Sequence, residues 1–163
     1  DDNTLLTKFF DIIPTEENQK DYNKILDSMK DMKKIHFNQK DSFGISVLEK
    51  ILNAENRKAL NLVKDFEFEY SPELDSAYEN ISDKNFKRDV KNLKIKFTHA
   101  IDAVRIDSAK ALKIAIKEFD SPLCDKNKEV KNLLDFYHSN TRRYGASAGV
   151  MQVMEVFEEN ERL

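Results

Sequence analysis

The sequence predicts a single all-α domain, a bundle of about six or seven helices over residues 1–163. Three observations predict it. Gly and Pro number only three each in 163 residues, and all-β and nucleotide-binding α/β folds use both freely in their turns. Apolar residues make up 40% of the chain and include eleven Phe, enough for a core that needs neither metals nor disulfides. Apolar positions also recur at steps of three and four, the signature of helices with one buried face.

The elements follow in order. Leu5, Leu6, Phe9, Phe10, Ile12 and Ile13 mark a first helix that Asn3 or Thr4 caps and Pro14 ends. Thr15 caps a second, with Glu16 and Glu17 at its positive end. Tyr22, Ile25, Leu26, Met29 and Met32 share its apolar face, and it fades near Ile35 to Phe37 before a loop over Asn38–Gly44. From Ile45 to Phe66, one helix fits, and so do two broken at Asn53–Asn56. Phe66, Phe68 and Tyr70 alternate with acids, but the run is short and has no visible partner, so it reads as a linker or a frayed helix end.

Ser71-Pro72-Glu73 is a clear helix start, with Leu74, Ala77, Tyr78 and Ile81 on the buried face and a new cap or kink at Ser82. The stripe from Phe86 and Val90 through Leu93, Phe97, Ile101 and Val104 to Phe119 contains no Pro or Gly. It fits one helix spanning roughly 83–120, about 55 Å long at 1.5 Å per residue, or two stacked helices. Ser121-Pro122 stops it, and Asp125 caps the next helix, with Val130, Leu133, Leu134 and Tyr137 buried. Gly145 and Gly149 bracket a break before a last short helix with Val150, Met151, Met154 and Phe157.

Composition excludes little by way of partner. The net charge of −3 demands neither nucleic acid nor an anionic membrane. The single Cys124 cannot form an internal disulfide. No apolar run approaches a transmembrane span, and no signal peptide is visible. The chain opens on Asp1 rather than Met, which reads as a processed or trimmed form, so a missing leader carries little weight.

The motif search argues against catalysis and cofactors. His36, His99 and His138 have no metal-ligand spacing around them, and Cys124 has no adjacent base. There is no phosphate-binding Gly-rich loop and no HExxH. Asn80-Ile81-Ser82 fits the N-glycosylation acceptor pattern.

Two constellations are candidates for binding. Asp65, Glu67, Glu69, Glu73, Asp75 and Glu79 form an acidic stretch, followed by Lys84, Lys87, Arg88, Lys91, Lys94 and Lys96. Lys84, Lys87, Lys91 and Lys94 fall on one face of a continuous helix and form either a stripe for a polyanion or acidic partner, or a solvated face screened by the neighbouring acids. Arg142 and Arg143, beside Tyr144 and the small residues to Gly149, could hold a carboxylate or phosphate at a helix start, or mark a helix contact or hinge.

The Lys-, Asn-, Asp- and Phe-rich style of Leu26–Lys34, Val90–Phe97 and Lys128–Leu134 resembles the small helical exported proteins and surface lipoproteins of Lyme-type spirochaetes. That resemblance implies a secreted or cell-surface, non-enzymatic protein that binds another macromolecule, such as a host protein, in virulence. Asp41-Ser-Phe-Gly44-Ile-Ser46-Val-Leu48, with Leu60–Val63, is similar to the opening and second helix of an ankyrin repeat. It implies instead an intracellular, cytoplasmic adaptor built of helix hairpins. A continuous 83–120 helix favours the first reading; packed parallel hairpins of about 33 residues favour the second. An enzyme assembled from scattered acids is the third class, and two facing carboxylates in a cleft would support it.

Overall fold

The computed structural model describes residues 4–32, 35–97 and 109–144, together with Met151 and Glu155. The chain divides into two compact units, Asp1–Lys96 and Phe97–Leu163. Among the described residues there are eight helices and one two-stranded parallel sheet.

The first unit opens with α1 (Leu5–Phe9) and α2 (Gln19–Met29). Thr4 caps α1 by accepting from Thr7 N at 3.3 Å, and the helix stops before Pro14 is reached. Thr15 and Asn18 exchange side-chain to backbone hydrogen bonds at 2.7 and 3.3 Å across a turn, so α2 begins one turn later than Thr15 alone suggests. Phe9 stacks on Tyr22 with ring centroids 4.5 Å apart, fastening α1 to α2. Tyr22 in turn accepts from Asn56 Nδ2 at 2.8 Å. That bond ties α2 to the start of α4, against which it packs.

The 40–46 loop is ordered by its own chemistry. Asp41 Oδ1 accepts from the backbone N–H of Phe43 and Ile45, both at 2.9 Å. Gly44 takes φ +78°, a left-handed conformation that costs a glycine nothing. Ser46 and Glu49 then form a reciprocal capping box that starts α3 (Val47–Asn53). The 45–66 segment is two helices. α3 breaks at Ala54-Glu55, where Glu55 has φ +46°, and Asn56 caps α4 (Arg57–Val63).

β1 (Glu67–Glu69) follows directly. Then the pattern repeats: α5 (Pro72–Glu79), α6 (Lys84–Val90) and β2 (Lys94–Lys96). The second copy lies 25 residues on at its first helix (Val47 to Pro72). At its second helix and its strand the offset is 27 (Arg57 to Lys84, Glu67 to Lys94). α3 packs on α5, and β1 pairs with β2 in the register Glu67↔Lys94, Phe68↔Ile95, Glu69↔Lys96. The hairpin turns are joined too, since Glu55 Oε1 accepts from Asp83 N at 2.8 Å and Arg57 reaches Asp89 at 2.8 Å. The core of this pair is Val47, Leu48, Ile51, Leu52, Val63, Phe68, Leu74, Phe86 and Val90, all almost fully buried.

Three expectations change here. The alternating Phe66–Tyr70 run is a strand with a partner, so the chain is mostly helical rather than all-α. The long 83–120 helix is absent: α6 ends at Val90, and Leu93, Ile95 and Phe97 are buried at alternate positions of an extended segment. The cap of α6 is Asp83 rather than Ser82, accepting from Asn85 N and Phe86 N.

In the second unit, α7 (Ala109–Phe119) and α8 (Lys126–Tyr144) are joined by a turn. Ser121 Oγ accepts from Leu123 N at 3.1 Å, and Asp125 caps α8 through Lys128 N. Phe97 and Phe119 stack with centroids 6.4 Å apart. Of the last helix expected at Val150–Phe157, only Met151 and Glu155 are described, and both are helical.

Candidate functional site

The most distinctive feature of the first unit is an open apolar groove of about 770 Å³ between α1, α2 and the chain that follows α2. Leu5, Leu6, Phe9 and Ile12 form one wall; Ile25, Met29, Met32 and Ile35 form the other. Leu5 is 88% exposed, Met32 53%, Ile12 47% and Ile25 45%. The reason lies in α2. Its inward stripe, Tyr22, Leu26 and Met29, is buried, while Ile25 on the same helix and Met32, three residues past its end, stay uncovered. The apolar arc of the helix is wider than the surface it packs against.

The polar groups along the groove are largely satisfied internally. Thr4 Oγ1 donates to Gln39 Oε1 at 2.6 Å, and Ser28 Oγ donates to the Ile25 carbonyl at 2.7 Å. Lys8 and His36 also line it, and among the described residues no lining residue is acidic. Covering apolar area of this kind is favourable, and burying satisfied polar groups costs little. A second cavity, against Phe37, Leu48 and Phe68, measures about 40 Å³. It is a packing void with room for little more than water.

The basic stripe is placed differently from the expectation. Lys84 and Lys87 are on α6, Lys91 caps its C-terminus, and Lys94 lies on β2 opposite Glu67. The four therefore do not share a helix face. Lys87 pairs with Glu79 at 3.6 Å, and the Lys87 and Lys91 ammonium groups lie over the Tyr78 ring at 4.8 and 5.9 Å. The acidic stretch meets the basic one strand against strand at β1 and β2 and through the Lys87–Glu79 pair.

Arg142 and Arg143 lie in α8, and their side chains fall outside the described residues, as do Gly145 and Gly149.

The reactive groups sit in quiet surroundings. Burial, with Glu129 and Asp125 close by, pushes the Cys124 thiol up to about 12, the opposite of what a nucleophile requires. His36 borders the groove, and the His138 ring lies 5.4 Å from Tyr137. His99 is outside the described residues. Among the described residues no three His, Cys, Asp or Glu gather as a metal site, and no helix is long and apolar enough to cross a membrane.

One charged cluster escaped the sequence reading. Lys50, buried on α3, bonds both Asp11 and Asp41, the latter at 2.8 Å. Its bond, with the Ile45 and Phe43 amides, holds the Asp41 carboxyl below its ordinary range. Burial works against the Lys50 ammonium, but the hydrogen bonds it donates to the two carboxylates outweigh it and raise its pKa. All three groups are mutually satisfied, so the cluster fastens the end of α1 and the 40–46 loop to α3. No protein-family model, curated protein or solved structure matches this chain.

Proposed function

We propose that this protein is a non-enzymatic interaction module in which the paired hairpins are the scaffold and the α1–α2 groove receives a protein partner. The observation that carries the reading is the groove itself: contiguous, apolar and open. Exposed apolar surface of this extent has a cost in solubility and marks binding sites. The two hairpins packed in parallel favour the adaptor architecture over the long-helix bundle, with a repeat nearer 27 residues than the ankyrin value. The exported, surface-protein reading assigns the same activity to a different compartment.

The test is photo-crosslinking from position 32 in the groove, with position 113 on α7 as a control, followed by identification of the captured protein. Ile25 is partly exposed, so Ile25→Asp should leave the fold intact. A protein crosslinked from position 32 and lost when Ile25→Asp is added, at unchanged Tm, supports the reading. Equal capture by Ile25→Asp and wild type contradicts it.

A further inference from the structure

We infer that Asn38 is a positioning residue for the groove: its side chain clamps the 35–40 segment to β1 and so fixes the part of the lining that Ile35, His36 and Gln39 provide. The inference rests on the reading of the groove as the binding surface and names what holds that surface in shape.

The clamp has the form of a missing strand. β1 pairs with β2 in parallel. Two further groups of β1, the Glu67 carbonyl and the Glu69 N–H, are met by a side chain instead of a strand. In a parallel ladder one residue of the next strand would donate to the first and accept from the second. The Asn38 carboxamide does both. Its Nδ2 donates to Glu67 O and its Oδ1 accepts from Glu69 N, each at 3.1 Å. A single side chain thus occupies strand groups that would otherwise stand open.

The segment that carries Asn38 faces two ways. Ile35, His36 and Gln39 line the groove. Phe37, between them, is 3% exposed, and its ring meets Phe66 edge-on with centroids 4.5 Å apart. Gln39 is tied to both α1 and α3: its Oε1 accepts from Thr4 Oγ1, and its carbonyl accepts from Val47 N at 3.1 Å. Phe37 supplies attachment, because burial is not directional. Asn38 supplies direction, because two hydrogen bonds to fixed backbone groups are met in one orientation. Losing the carboxamide therefore leaves the segment attached and frees its groove-facing side chains to move. Asn38, Glu67 and Glu69 are all exposed, so water replaces the lost bonds at little cost to global stability. The coupling is reciprocal. If an open clamp weakens binding in the groove, a filled groove holds the clamp shut by the same factor.

Site-resolved amide exchange and methyl NMR on the full chain test this with Asn38→Ala. The Glu69 amide should exchange about tenfold faster, with the Ile51 amide in the core unchanged. Tm should fall by less than about 3 °C. The Ile35 methyl signals should shift, while those of Ile114 on α7 stay in place. Capture of the partner from position 32 should drop several-fold, and the captured partner, added to wild type, should slow Glu69 exchange. Lys40→Ala, which removes a neighbouring exposed side chain, should change none of these. Unaltered Glu69 exchange in Asn38→Ala overturns the clamp. Faster exchange with unmoved Ile35 signals and full capture overturns its link to the groove. If wild type captures no partner, the reading of the groove fails, and the exchange and methyl signals still decide whether Asn38 sets its lining.

Discussion

Phe68 and Phe43 are both phenylalanines flanked by polar residues, and the fold gives them opposite fates. Phe68 is the centre of β1 and 1% exposed; Phe43 is at the tip of the 40–46 loop and 85% exposed. Truncating a fully buried Phe to Ala removes its whole transfer free energy and leaves a cavity, at a cost of about 3–5 kcal/mol. The void of about 40 Å³ beside Phe68 gives Phe37 and Leu48 room to relax into the space, which places Phe68→Ala toward the lower end, about 3 kcal/mol. Against a domain stability of about 5–15 kcal/mol this is a large fraction. Phe43→Ala should change stability by less than about 0.5 kcal/mol. Urea unfolding followed by far-UV circular dichroism measures both, with unchanged slopes licensing the comparison. A frayed helix end or linker at 66–70 would make the two substitutions equally mild. A cost below about 1 kcal/mol for Phe68→Ala would therefore refute the buried parallel strand.

Other outcomes follow from the same geometry. The facing pairs Glu67↔Lys94 and Glu69↔Lys96 should show coupling of about 0.2–1 kcal/mol each in a charge-swap cycle; stability recovered when all four charges are exchanged supports the register, and zero coupling refutes it. The lowered Asp41 pKa contributes stability that is present above the ordinary value of 3.8 and is lost as pH falls through the folded value. The raised Lys50 pKa contributes stability that is full below the ordinary 10.5 and is lost as pH rises through the folded value. Asp41→Asn should accordingly flatten the acid limb of a Tm-against-pH curve, and an unaltered limb would remove the cluster from the account. Cys124, with its thiol near 12, should react with iodoacetamide at pH 8 far more slowly than free cysteine; labelling at the free-thiol rate would contradict its placement. Lys87→Glu with Lys91→Glu places like charge beside Glu79 and removes both cations from the Tyr78 ring. It should lower Tm while leaving heparin retention unchanged, and lost retention at full stability would restore the polyanion reading.

What was legible in the sequence is local. Thr4, Ser71-Pro72 and Asp125 announce helix starts because a cap acts within one turn of its own residue. The Asp41–Ser46 loop was legible for the same reason, and its likeness to a repeat opening rests on hydrogen bonds that span only a few residues. The parallel sheet was not. Its strands are three residues each and their partners lie 27 positions apart, with a helix pair between them. The alternation of Leu93, Ile95 and Phe97 with Lys94 and Lys96 was the available signal, masked because Val90, Leu93 and Phe97 also suit a helical period.

The groove was hidden for a different reason. Periodicity assigns Tyr22, Ile25, Leu26, Met29 and Met32 to one apolar arc but carries no information on how much of that arc a neighbour covers. Only the placement of α1, set by Phe9 against Tyr22, divides it into a buried stripe and an exposed one. Lys50 is similar: within a helix it reads as a solvent-facing lysine, and its carboxylate partners, Asp11 and Asp41, lie outside that helix where its periodicity carries no information.

The central proposal, that the α1–α2 groove receives a protein partner, is tested most directly by methyl NMR during titration with the protein captured by crosslinking from the groove. The account predicts shifts concentrated on Leu5, Ile12, Ile25, Met29 and Met32. Ile114, 48% exposed on α7, should stay unmoved despite its similar exposure. Shifts centred on α7 or α8, with the groove methyls silent, would contradict it.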